Sequence, residues 1–157
     1  MNQSASEKLK KALRQDELFD YMVGAKGYDY TCPYADTPTY DEVVFVSINE
    51  YSKQNNDSSV WPRFEKAWLD MSADPSYSWF ALYYLFLYLR NFPNPEAEPI
   101  RIKKMLPLLI ANIRKTRTAL SHDQRWMGRG LPRGLWDNAT RMAAIINREF
   151  GLDIRLE

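Results

Sequence analysis

The chain has 157 residues, a formal net charge of +1 and 14% aromatic side chains, among them five Trp, seven Phe and ten Tyr. One Cys (Cys32) and one His (His122) exclude an internal disulfide framework and any zinc site built from Cys and His alone. A chain of this length suits a single helical domain over 1–157, with enough apolar side chains to build a core without cross-links.

The first residues, MNQSASEKLKK, are polar and resemble no signal peptide, which favours a cytoplasmic protein. Ser4 followed by Glu7 has the spacing of a capping box and opens a helix directed toward Gly24. Leu9, Ala12, Leu13, Phe19 and Val23 fall on one stripe of that helix, and Asp16 falls in the middle of it. Either the helix breaks at Asp16 or this part of it faces a partner. The break is favoured, because an unpaired buried carboxylate is costly. Residues 24–39 have loop composition, and their tyrosines and Cys32 argue against disorder. In 40–53, VVFVSI has strand propensity, yet Thr39 with Glu42 repeats the capping box and Tyr40, Val43, Val44, Ile48 and Tyr51 recur at helical spacing. The segment is read as helix.

A further helix starts near Ser59 or Val60, with Pro62 in its first turn and Phe64, Trp68, Leu69 and Met71 as its apolar residues. Asp74 and Pro75 predict the start of another, running to about Asn91. Its eleven-residue run Trp79–Leu89 is nonpolar on every face, the mark of a central helix, and is too short to span a bilayer. Asn94-Pro95 signals a segment to about Leu120 that Pro107 should kink or divide. After a Gly- and Arg-containing loop over 121–131, Pro132 opens a last helix with Leu135, Ala139, Met142, Ala143 and Ile146 as its stripe and Gly151 as its stop. The expected fold is all-α: six to seven helices as antiparallel hairpins around one core, with a short irregular solenoid as a variant. No self-similar period appears.

Catalytic patterns are sparse. Cys32 and His122 could form a nucleophile–base pair only if the fold joined them. A lone Cys is more often a small buried hydrophobe, and a lone His in an Arg-rich loop is more often solvated. GRGLPRG (128–134) lacks the Lys-Ser/Thr of a phosphate-binding loop. The chain is therefore expected not to be an enzyme and to need no cofactor or metal.

Charge is distributed unevenly. Residues 101–157 carry twelve Lys and Arg against five acids, whereas nine acids stand against only Lys26 and Lys53 between Asp16 and Asp57. Six of the ten tyrosines lie in that acidic window. A charge run is commonly a solvated face. Tyrosine adds large apolar area at low entropic cost while keeping a hydroxyl, which favours a recognition surface. The candidate partner-binding residues are Asp16, Glu17, Asp20, Tyr21, Tyr28, Asp29, Tyr30, Tyr34, Asp36, Tyr40, Asp41 and Glu42.

A small, cysteine-poor helical chain with an acidic, aromatic stretch and no catalytic set resembles the immunity proteins of bacterial toxin systems, those of contact-dependent inhibition included. The resemblance lies in the overall character of the chain. It implies a stoichiometric antidote that occludes a cognate toxin with a basic surface, a nuclease being the class that suits the charge. The alternative is an RNA- or DNA-binding regulator using Arg125, Arg129, Arg133 and Arg141 with Trp126 and Trp136. Set against it is the reading in which these arginines sit near helix ends and pair with the chain's own acidic half while the tryptophans fill the core, and the net charge is only +1.

Overall fold

The computed structural model describes residues 5–28, 39–92, 101–122 and 131–156, with 118–122 and 131–138 described as backbone only. Among the described residues seven helices appear in chain order: α1 (Ala5–Arg14), α2 (Leu18–Val23), α3 (Tyr40–Gln54), α4 (Val60–Ala73), α5 (Ser78–Asn91), α6 (Ile102–His122) and α7 (Leu131–Phe150). The described residues contain no strand, so the fold is all-α. The chain divides into two compact units, Met1–Trp68 and Leu69–Glu157.

In the first unit α1 packs on α2 and α3, and α2 packs on α3. The expected break at Asp16 is present. α1 ends at Arg14, Asp16 takes a left-handed φ of 55°, and the Glu17 amide donates to the Ala12 carbonyl at 2.8 Å. This is a Schellman-type ending, with Asp in the position glycine normally takes. Aspartate tolerates the left-handed region better than most residues because its short polar side chain can bond locally. Asp16 thus ends α1 and keeps its carboxylate out of the apolar stripe. Two more helices end in the same way. Gly24 (φ 76°) and Asn56 (φ 47°) follow α2 and α3, with Ala25 N–H to Asp20 C=O at 2.8 Å and Asp57 N–H to Ser52 C=O at 2.9 Å.

The 40–53 segment is helical, and its burial pattern explains why strand propensity loses. Val44, Phe45 and Ile48 are enclosed at helical spacing while Val46 is left 47% exposed. Thr39 is the N-cap residue, as its spacing predicted, but its hydroxyl bonds the Asp41 carboxyl instead of a helix amide. Phe45, Trp61, Phe64 and Trp68 form a continuous aromatic chain, with centroids 6.0 Å apart for Phe45–Phe64 and 5.5 Å apart for Trp61–Phe64 and Phe64–Trp68. The Trp61 indole N–H reaches Ser52 Oγ at 3.1 Å, so the ring is buried without an unsatisfied donor. Asp57 accepts from the Ser59 amide at 3.0 Å and from the Ser59 hydroxyl, which fixes the turn into α4 and holds its carboxyl below the usual range.

In the second unit α5, α6 and α7 pack pairwise on one another. Along the nonpolar run of α5, Ala81, Leu82, Tyr84, Leu85, Leu87, Tyr88 and Leu89 are buried, and Trp79, Phe80, Tyr83 and Phe86 are half-buried. The helix begins at Ser78, not at Pro75. Asp74 accepts from the Ser76 amide through its side chain and from the Tyr77 and Ser78 amides through its carbonyl, making a turn ahead of the helix. α6 carries Pro107 without being divided, and presents Ile102, Met105, Leu109, Ile113 and Thr116 to the interior. The buried Thr116 hydroxyl donates to the Ile113 carbonyl at 2.6 Å and so accepts from Ser78 Oγ at 2.8 Å. Asn112 Nδ2 donates to Ser72 Oγ at 3.0 Å, and Ser72 donates to the Leu69 carbonyl at 2.7 Å.

Gly151 (φ 67°) ends α7 as predicted. The tail beyond it is irregular and is clipped to the helix by one side chain. Asn147 donates to the Ile154 carbonyl at 3.0 Å and accepts from the Ile154 amide at 2.7 Å, seating Ile154 and Leu156 in buried positions. The Ser4 capping position, the Asn94-Pro95 start and the 123–130 loop lie outside the described residues.

Candidate functional site

The acidic window begins at the α1–α2 corner. Asp16 is 95% exposed there and touches Arg63 Nη2 at 3.5 Å. Glu17 and Asp20, one on each side of the α2 start, are half-buried and share Lys26, whose Nζ lies 3.7 Å from Glu17 and 3.3 Å from Asp20. The hydrogen bond it donates to Asp20 is the main reason the Lys26 ammonium is held above its ordinary pKa. Lys26 itself lies in the left-handed region (φ 50°), in the turn that follows α2. Two of the window's carboxylates are therefore partly neutralised by the chain itself.

Three of the window's tyrosines come together behind this corner. Tyr21 and Tyr28 meet edge to face with centroids 5.8 Å apart, and both are buried, 1% and 2% exposed. The Tyr21 hydroxyl donates to the Ala5 carbonyl at 3.2 Å, and burial pushes its pKa up to about 12. The Tyr28 hydroxyl donates to Glu17 Oε2 at 2.8 Å, and burial, reinforced by that bond, pushes its pKa up to about 12 as well. The Lys11 ammonium sits 5.5 Å from the Tyr28 ring centroid, on its face. Tyr40, the first residue of α3, points its hydroxyl between two backbone carbonyls. Its single O–H is shared between Tyr21 C=O and Tyr28 C=O, the latter at 2.7 Å. One phenol thus fastens the start of α3 to both α2 and Tyr28.

Asp41 is 5% exposed, and burial raises its pKa, partly offset by the hydrogen bond from Thr39. Glu42 is half-buried. Tyr21, Tyr28 and Asp41 are thus enclosed, which corrects the expectation that their side chains belong to a partner-facing surface. Tyrosine can close a core while giving its hydroxyl to a backbone carbonyl or a carboxylate, and here it does so. Asp16, Glu17, Asp20 and Glu42 retain exposure. Asp29, Tyr30, Tyr34 and Asp36, together with Cys32, lie outside the described residues. So do Arg125, Trp126 and Arg129. Arg133, Trp136 and His122 lie on helices without described side chains, and Arg141 is exposed on α7.

Sequence reasoning missed a feature of opposite sign in the same unit. Lys10, Leu13 and Arg14 of α1, Tyr51 of α3, Asn55 at its end and Arg63 of α4 line an open groove of about 400 Å³. Lys10 and Arg14 are four apart on one helix and share a face, which was readable. The arrival of Arg63 from fifty residues away, donating to the Leu13 carbonyl at 2.9 Å, was not.

Among the described residues no group of three or more His, Cys, Asp or Glu is placed to hold a metal ion, and no helix is long and apolar enough to cross a membrane. Compared with protein-family models, curated proteins and solved structures, the chain matches none.

Proposed function

We propose that this chain is a bacterial immunity protein, acting in the cytoplasm as a stoichiometric antidote that binds and occludes a basic cognate toxin, a nuclease in the first instance. The observation that supports this reading best is the Tyr40 clamp. The segment 29–38 carries Asp29, Tyr30, Tyr34 and Asp36, and the residues on either side of it, Tyr28 and Tyr40, are hydrogen-bonded to each other at 2.7 Å. An acidic, tyrosine-bearing segment whose two ends are fastened at one point on a packed helical unit loses less freedom on binding than an untethered one.

The roles divide between two groups. Tyr21, Tyr28, Tyr40 and Asp41 form the platform. Asp16, Glu17, Asp20 and Glu42 border it, and the 29–38 residues supply charge and aromatic anchors. The carboxylates speed encounter with a cationic surface and set its orientation, and the tyrosines hold the complex once water is excluded. Occlusion of the toxin's substrate cleft follows from bulk and charge, with no chemistry on this chain.

The test is a pairing experiment with the toxic module encoded beside the gene. The full chain should form a one-to-one complex with it on size-exclusion chromatography and protect cells that express it. Asp29→Lys with Asp36→Lys should abolish both effects. Arg129→Glu with Arg133→Glu should abolish neither. Loss of protection in the arginine pair with retention in the aspartate pair would place the function in the other half of the chain.

A further inference from the structure

The groove between α1, α3 and α4 gathers positive charge in the same unit that carries the acidic window. Lys10, Arg14 and Arg63 bring three cations to one opening of about 400 Å³, a size suited to a small ligand. Among the described residues no acid pairs with Lys10 or Arg14. Arg63 is held in place independently of any ligand, because one of its nitrogens donates to the Leu13 carbonyl at 2.9 Å. Its guanidinium therefore stands ready as a fixed planar donor, the geometry that suits phosphate oxygens. Tyr51 lies in the wall near Asp57, and Asn55 is tied through its Nδ2 to the Tyr51 carbonyl at 3.0 Å. The Tyr51 ring offers a flat apolar side and the Asn55 side-chain carbonyl a free acceptor.

Two carboxylates of the chain act on Arg63, Asp16 and Asp57. Asp16, in its left-handed turn, lays its carboxylate 3.5 Å from Arg63 while remaining 95% exposed. So exposed a pair contributes little to stability, and an incoming anion can displace it. Asp16 occupies part of the position a ligand's anion would take. Lys10, Arg14 and the anchored Arg63 outnumber Asp16 and Asp57 by one charge, and that surplus, met by a guanidinium fork, favours an anion with several oxygens over a neutral ligand.

We propose that this groove is a binding site for a phosphate monoester, with the phosphate on Lys10, Arg14 and Arg63 and the organic body against Tyr51. Asp16 acts as an internal competitor that weakens the site without closing it. This is independent of the immunity reading, which rests on the opposite charge and on the 29–38 segment.

The experiment titrates the full chain with inorganic phosphate and, separately, with adenosine monophosphate, following amide shifts of the α1 and α4 residues by NMR at low ionic strength. Both should saturate, with the nucleotide binding about tenfold more tightly through Tyr51. Lys10→Gln with Arg14→Gln should weaken both at least about tenfold, roughly the effect of losing two exposed cations from a three-cation site. Both replaced side chains are exposed, so an unchanged unfolding midpoint separates this loss from misfolding. Asp16→Asn should tighten both about threefold or more, an outcome that a purely structural role for Asp16 would not produce. Absence of saturation, equal binding by the double variant, or sulfate and chloride competing as well as phosphate would overturn the assignment.

Discussion

Tyr40→Phe removes one oxygen and nothing else, so it isolates the clamp on which the platform depends. In the wild type that oxygen shares its one proton between Tyr21 C=O and, at 2.7 Å, Tyr28 C=O. Without it, Tyr21 C=O keeps a long contact from the Gly24 amide at 3.4 Å, whereas Tyr28 C=O loses its bond to α3. A buried acceptor left unsatisfied costs about 1–3 kcal/mol, and the two carbonyls together, one of them partly served, put the expected loss at about 2 kcal/mol. For a chain of this size that corresponds to a fall of roughly 4–8 °C in Tm. Packing is preserved, because the ring remains. Urea unfolding gives the free energy, and amide exchange locates it: the Tyr28 amide, which donates to the Ala25 carbonyl at 3.0 Å, should exchange faster in the variant, while the second unit is unaffected. A loss below about 0.5 kcal/mol, or protection at Tyr28 equal to wild type, would refute the clamp as a structural device.

Three further outcomes test the rest of the fold. Tyr21 holds its proton to about pH 12 in the folded chain against an ordinary value of 10, so both states are neutral below pH 10 and the fold keeps its full margin there. Between pH 10 and 12 the unfolded chain ionises first, and Tyr21 should contribute a loss of roughly 2–3 kcal/mol in a pH series of chemical unfolding; Tyr21→Phe should remove that part and leave the part due to Tyr28, whose pKa is raised alike. Asp41 has its pKa raised by burial, so its ionisation works against folding above the ordinary carboxylate range; Asp41→Asn should raise Tm at pH 7, and that advantage should shrink as pH falls toward 4 in parallel thermal melts. Trp68 is fully enclosed and stacks on Phe64, so Trp68→Ala should cost about 3–5 kcal/mol by urea unfolding.

Much of the helical layout was legible because it follows from local rules. Asp16 in the middle of an apolar stripe could not continue a helix without burying its charge, and the chain breaks there. Gly151 after the last stripe, and Thr39 before Tyr40, marked boundaries that the backbone respects. Where local rules failed, tertiary contacts or turn chemistry won. Asp74 serves a turn before α5 instead of opening it, and Pro107 sits inside α6 with the helix continuing past it.

The candidate site was less legible, for a specific reason. Tyrosine composition signals both interiors and interfaces, and the difference lies in where each hydroxyl finds its partner. Tyr21 gives its proton to Ala5 C=O, Tyr28 to Glu17 and Tyr40 to two backbone carbonyls, and none of these pairings has a sequence signature. Asp41 looked like an ordinary first-turn carboxylate. Only the packing of α3 reveals that it is enclosed, so a charge reversal there would perturb folding as well as binding.

On the proposed function, carboxylates of the 16–42 stretch recruit a basic protein toxin. The most direct measurement is the association rate of the full chain with a candidate cognate toxin, by stopped flow, across a salt series. Fast association that slows steeply with salt is expected, and at least about a tenfold slower rate for Asp29→Lys with Asp36→Lys at low salt, with dissociation little changed. An association rate indifferent both to salt and to that double reversal would contradict it.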